Sequence, residues 1–163
     1  MITPPIPTNE KERLAAVHSL EVLDTPSEER FNAITTEASR RLHVPISTVS
    51  ILDKNREWFK SCVGLDQTEG PREASFCGHS LLAQDIFIVE DTLLDERFAD
   101  NPYVIGAPHL RFYAGVSLHD QKTGLPVGVL CVKDVRPRKL SSGEIAALIE
   151  LAGRTEKELA SKK

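Results

Sequence analysis

Apolar residues recur every three or four positions near both ends of the chain and every second position in its middle, a pattern that predicts helices flanking a sheet. Asn9 and Glu12 have capping-box spacing ahead of a stripe of Leu14, Val17 and Leu20 running toward Leu23. Asp24-Thr25-Pro26 is expected to end this first helix, because proline disfavours helical geometry in the residue before it. Ser27 is the expected cap of a second helix, with Phe31, Ile34, Ala38 and Leu42 on one face and His43-Val44-Pro45 at its close. The period changes at Ile46. Ile46 to Leu52 and Trp58 to Val63 read as a hairpin joined through Asp53-Lys54-Asn55-Arg56.

Gly64 to Pro71 reads as a loop, and Ser75 to Ala83 as a short helix capped by Ser75 with Leu81 and Leu82 inward. Ile86 to Glu90 is a short strand, and Asp91 to His109 a long polar connection with at most one helical turn, around Asp95 to Phe98. Phe112, Ala114, Val116 and Leu118 then alternate with Tyr113, Gly115, Ser117 and His119, and Val127 to Asp134 runs back after a turn at Asp120 to Gly124. Gly115 and Gly128 fall inside these strands, where glycine permits close packing. Ser141 and Glu144 make a second capping box, opening a helix with Ile145, Leu148, Ala152 and Leu159 on a broad apolar face. Met1 to Thr8, with three prolines, reads as an extended arm, and residues 9–163 as one α+β domain in which helices cover a sheet.

The 163-residue length fits a single domain with one substantial core. A net charge of -4 argues against a general nucleic-acid or anionic-membrane binder. No apolar run approaches the roughly 20 residues that span a bilayer, and Met1-Ile2-Thr3-Pro4-Pro5 lacks the features of a secretory signal, so a cytoplasmic location is expected. Cys62, Cys77 and Cys131 supply no paired disulfide framework, and the Cys77/His79 pair has no second pair with which to hold zinc.

Three segments carry a family resemblance: Arg72-Glu73-Ala74-Ser75-Phe76-Cys77-Gly78-His79-Ser80, Arg111-Phe112-Tyr113-Ala114-Gly115-Val116, and Gly128-Val129-Leu130-Cys131-Val132-Lys133-Asp134. In this order and spacing they resemble the GAF domain, in the branch found at the sensory end of bacterial histidine kinases and cyclic-dinucleotide synthases. The likeness runs from about Asn9 to about Lys157. It implies an antiparallel sheet with the terminal helices on one face and helix and loop excursions closing a pocket on the other. Phe76 to Ser80, Asp91 to Asn101 and Arg111 to Tyr113 would line that pocket. It also implies a small-molecule ligand, a homodimer formed through the terminal helices, and a kinase or cyclase output domain.

Cys77-Gly78-His79 is the sharpest chemical constellation. In the first turn of a short helix, Cys77 would have its thiolate favoured by unpaired N–H groups. That suits a redox-sensing thiol or a covalent ligand anchor; the plain alternative is a buried cysteine with His79 bonded to backbone. Cys62 and Cys131 lie on predicted strands, out of obvious reach of Cys77. The resemblance also includes a free methionine sulfoxide reductase working through several pocket thiols, but the connection from Asp91 to Tyr113 contains no cysteine. Nor does Pro108-His109-Leu110 offer the cysteine that bilin-binding relatives use.

Asp91, Arg97, Asn101 and Arg111 are candidate polar contacts to a small anionic or amide-bearing ligand, and Phe76, Phe98, Phe112 and Tyr113 its apolar walls. With Cys77 and His79 they make up the expected ligand site. No acid/base pair, nucleophile triad or glycine-rich phosphate loop stands out, so no catalytic residue, metal or cofactor is assigned. The sequence therefore points to a non-enzymatic sensor signalling through helix packing. A thiol redox sensor or reductase centred on Cys77 and a purely structural dimerisation domain are the alternatives.

Overall fold

The computed structural model describes residues 1–161; Lys162 and Lys163, the last two residues of the expected domain, lie outside the described residues. Among the described residues one six-stranded antiparallel sheet is formed, in the order β3-β2-β1-β6-β5-β4. Its strands are β1 (Ile46–Leu52), β2 (Arg56–Val63), β3 (Glu69–Pro71), β4 (Ile86–Val89), β5 (Phe112–His119) and β6 (Pro126–Asp134). The helices are α1 (Glu10–Ser19), α2 (Glu29–Leu42), α3 (Phe76–Ser80), α4 (Pro102–Ile105) and α5 (Ser142–Ala160).

Strand periodicity divides the interior into two layers. On one face Phe31, Ile34, Ala38 and Leu42 of α2 and Leu148, Leu151, Ala152 and Leu159 of α5 bury Val49, Ile51, Phe112, Ala114, Leu118, Leu130 and Val132. On the other, α3, α4 and the connections beside them cover Ile46, Leu52, Tyr113, Val129 and Cys131 with Phe76, Cys77, Leu81, Phe98 and Val104. Ser141 caps α5 with both bonds of a capping box, and Ser75 caps α3 by accepting from the Gly78 N–H. His43 closes α2 in the left-handed region at φ 54°.

Several expected details differ. Helix α1 ends at Ser19, short of Asp24, and the Asn9 side chain caps nothing. Its inward face carries Arg13, Ala16 and Val17, while Leu14 is only half-buried. Arg13 is accepted inside because its guanidinium donates to the Leu52 carbonyl at 2.7 Å and pairs with Glu10 at 2.6 Å. The residue capping α2 is Glu28, while Ser27 accepts a hydrogen bond from Asn32 instead. The expected loop before Pro71 contains β3, a three-residue edge strand paired to β2. Leu82 turns outward although Leu81 is buried. In the long connection a turn forms at the expected place, with the Phe98 and Ala99 N–H groups on the Asp95 carbonyl, and two short helices, at Thr92–Leu94 and Pro102–Ile105, flank it.

Candidate functional site

The face under α3 and α4 is where the chemistry gathers. Phe76 and Phe98 stack with ring centroids 4.3 Å apart, Tyr113 lies 5.3 Å from Phe76, and Phe87 closes on Phe98 edge-on at 6.2 Å. His79 meets Phe98 edge-on at 4.9 Å and points its Nε2 at the Ile2 carbonyl, 3.1 Å away. Burial lowers the His79 pKa, against the raising effect of that carbonyl. The N-terminal arm crosses here, and Pro4 is buried close above Gly78.

Phe76, Cys77, His79, Phe98 and Tyr113 thus share one layer, with Arg97 at its edge, whereas Phe112, also expected in the apolar wall, faces the opposite layer because strand alternation sends it away from Tyr113. Arg97 grips Asp95 with two bonds of 3.0 and 2.6 Å and lays its guanidinium over the Phe87 and Phe98 rings. The remaining candidates serve the backbone. Asp91 caps the Thr92–Leu94 turn. Asn101 caps α4 and donates to the Ala74 carbonyl at 3.0 Å, tying α4 to the segment before α3. Arg111 donates to the Val104 and Leu110 carbonyls, each at 3.0 Å.

Five further residues complete the layer: Thr48 and Ser50 on β1, Glu57 on β2, and Cys131 and Lys133 on β6. Cys131 shares the buried layer with Cys77, whereas the sequence put it out of obvious reach, and two hydroxyls link the sulfurs, Ser50 Oγ beside Cys77 and Thr48 Oγ1 beside Cys131 standing 2.7 Å from each other. The Tyr113 hydroxyl donates to Cys77 Sγ at 3.2 Å, Cys77 reaches Ser50 Oγ at 3.7 Å, and Thr48 Oγ1 sits 3.0 Å from Cys131 Sγ. Burial pushes the Cys77 thiol well up, so its place in the first turn of α3 does not make it a thiolate. Burial opposes ionisation of Cys131 too. Even so, the neighbouring Cys77 thiol, the Lys133 ammonium and the Thr48 hydroxyl bring its pKa down to about 7.

Lys133 is buried, which works against its charge, but the negative potential of Cys131 and Glu57 outweighs burial and holds it protonated. Glu57 is 5% exposed, and its Oε2 has no hydrogen-bond partner. The Tyr103 hydroxyl of α4 lies beside Gly70, which pairs with Glu57 across β2 and β3. One signal in the sequence could have found these groups. In the β5–β6 register Tyr113 faces Lys133 and Gly115 faces Cys131, so the alternation that puts Tyr113 on this face puts Cys131 and Lys133 there as well.

Comparison with known proteins agrees with this architecture. The family model of the GAF domain matches residues 26–159. A cyclic di-GMP phosphodiesterase of Pseudomonas aeruginosa is 43% identical over 153 residues, which cover 93% of this chain and 26% of that protein; the chain therefore spans about a quarter of this relative. Among solved structures, the GAF domain of an Acinetobacter phosphoenolpyruvate-protein phosphotransferase superposes with a TM-score of 0.65 at 17% identity, covering 91% of this chain and 93% of the other. A type II free methionine-R-sulfoxide reductase from Thermoplasma acidophilum gives 0.66 at 14% identity, covering 88% and 94%. No helix among the described residues is long and apolar enough to cross a membrane.

Proposed function

The chain belongs to the GAF domain family, and from that premise we propose that it is a non-enzymatic sensory module of the cytoplasm. It receives a small molecule on the sheet face under α3 and α4 and reports binding through the packing of α1, α2 and α5 in a homodimer. The output it controls is a catalytic domain, whether a phosphodiesterase like that of the Pseudomonas relative, a kinase or a cyclase. What carries this reading is Glu57: a buried carboxylate with one oxygen unpartnered, facing a layer that also holds the Lys133 ammonium. Buried charge without full pairing costs several kcal/mol, and a ligand bearing N–H donors would relieve it.

In this reading Phe76, Phe98 and Tyr113 form the apolar wall, with Cys77 and His79 beside them. Arg97, Asp91, Asn101 and Arg111 hold the surrounding loops, since their side chains are already engaged. The ligand displaces part of the Phe76–Phe98 stack, and that displacement moves α3 against the sheet. Native mass spectrometry of the purified protein tests the proposal. The expected result is a dimer carrying a small non-protein mass that is lost on Glu57→Gln. An empty protein that binds nothing from metabolite extracts would overturn it.

A further inference from the structure

Cys77 and Cys131 are two of three cysteines, both fully buried, brought from α3 and β6 into one layer, where they are bridged through Ser50 Oγ (3.7 Å from Cys77 Sγ) and Thr48 Oγ1 (3.0 Å from Cys131 Sγ), hydroxyls 2.7 Å apart. A packed apolar core would place carbon here. Instead each sulfur is furnished with a hydroxyl: Tyr113 O–H donates to Cys77, and Thr48 Oγ1 contacts Cys131. The Lys133 ammonium lies two positions along β6. Cys62 stands apart from this pair, half-buried on β2 with its thiol on the Leu65 carbonyl at 3.6 Å, and burial raises its pKa.

We propose that Cys77 and Cys131 form a reversible intramolecular disulfide when the protein meets a peroxide, fastening α3 to the centre of the sheet. This goes beyond the ligand reading and does not depend on it. Cys131 is the attacking sulfur, because Thr48 and Lys133 stabilise its thiolate. Cys131 gives up its proton, its thiolate takes the distal oxygen of the peroxide with that oxygen's hydrogen, and the O–O bond breaks; the departing oxygen takes up the proton from Cys131, giving a sulfenic acid and an alcohol or, from hydrogen peroxide, water. Cys77 then loses its proton and attacks the sulfenic sulfur. The S–O bond breaks, the hydroxyl leaves as water with that proton, and the S–S bond forms. In balance, two thiols and one peroxide give a disulfide, an alcohol (or water) and water.

Forming an S–S bond of about 2.05 Å draws the two sulfurs together past the Ser50 and Thr48 hydroxyls. Helix α3, five residues long between Ser75 and Leu81, is the smaller of the two elements the bond would join, so the shift is expected there. The Tyr113 hydroxyl would lose its thiol partner, and the Phe76 ring next to Cys77 would shift with the helix. Oxidation thereby acts on the same layer that faces α3.

The test uses the whole chain. Reduced protein is treated with hydrogen peroxide, then denatured, alkylated, digested and mapped by mass spectrometry. The expected result is a fall in alkylatable thiols from three to one, the survivor being Cys62, with the Cys77 and Cys131 peptides cross-linked and released by dithiothreitol. Cys62→Ser should leave the cross-link intact, whereas Cys131→Ser should abolish it. If Cys131→Ser does not fold, the wild-type map decides alone. All three thiols still alkylatable after prolonged treatment, or oxidation confined to Cys62, would overturn the proposal.

Discussion

The Tyr113 hydroxyl donates to Cys77 Sγ at 3.2 Å, joining β5 to α3 at the centre of the buried layer. Both residues are fully buried, so the bond is sheltered from water. Tyr113→Phe keeps the ring that packs on Phe76 and removes only the donor. Net hydrogen-bond contributions run about 0.5–1.5 kcal/mol, and sulfur acceptors fall at the weak end of that scale. The expected outcome is a small fall in unfolding free energy by urea denaturation, about 0.5 kcal/mol, with the denaturant slope unchanged.

Close approach at the middle of the sheet depends on Gly128. A Cβ built there would lie 2.2 Å from the Ser50 carbonyl oxygen of the neighbouring strand, which is backbone and has no room to give. Gly128→Ala must therefore spread β1 from β6 at the sheet's central pair. Overpacking of a tight core costs on the order of 1–3 kcal/mol, and the loss should appear as a lower thermal midpoint. Gly124, at φ +75° with nothing within 4 Å of a built Cβ, loses stability for a different reason, through backbone strain in the turn.

What the sequence made legible follows from how local each signal is. The face of α2 and the alternation of β5 are set by a repeat within a few residues, and Ser141 and Glu144 bond across a single turn. Arg13 defeated the same reasoning, since a cation on an inward face is stable only if Glu10 and the Leu52 carbonyl arrive together. Strand β3 is too short to carry a period and exists because the edge of β2 is there to pair with. The layer under α3 was half legible. Its aromatic wall lies in segments that resemble a known pattern, but placing Cys131 in the layer of Cys77 needs the register of β5 on β6. Asp91, Arg97, Asn101 and Arg111 read as ligand contacts from polar type and from the pocket position the resemblance implies, and in the structure each side chain also bonds within the surrounding loops.

Glu10 supplies a pH prediction. Arg13 and Arg72, both buried, converge on its carboxylate from α1 and from the segment before α3. Partial burial raises its pKa, and the hydrogen bonds from Arg13 and then Arg72 overcome that, leaving it below the ordinary value of 4.5. A depressed folded-state pKa means the carboxylate stabilises the fold above pH 4.5, and this contribution fades as pH falls through the lowered value. Glu10→Gln should therefore be less stable than the parent at pH 7 and lose less stability between neutral and acid pH. Urea midpoints measured across that range for both proteins check it; parallel curves would show that Glu10 carries no part of the acid sensitivity.

The proposed dimer makes a demand on α5. Its inward residues, Leu148, Leu151, Ala152 and Leu159, are consumed by the sheet and α2 of the same chain, so they cannot also form an interface. The outward side retains Ile149 at 48% exposure, beside exposed Ala146. A helix pair built on that side would bury Ile149 at its centre, where small neighbours permit close approach. Ile149→Lys should then weaken the dimer without harming the fold, because the side chain is solvent-facing in the single chain and lysine favours helix as well as isoleucine does. Light scattering coupled to size-exclusion chromatography gives the mass, and circular dichroism checks the fold. A dimer that persists in the lysine variant would move the interface off this side of α5 and onto the α1 end of the helical layer, where half-buried Leu14 and Leu20 remain.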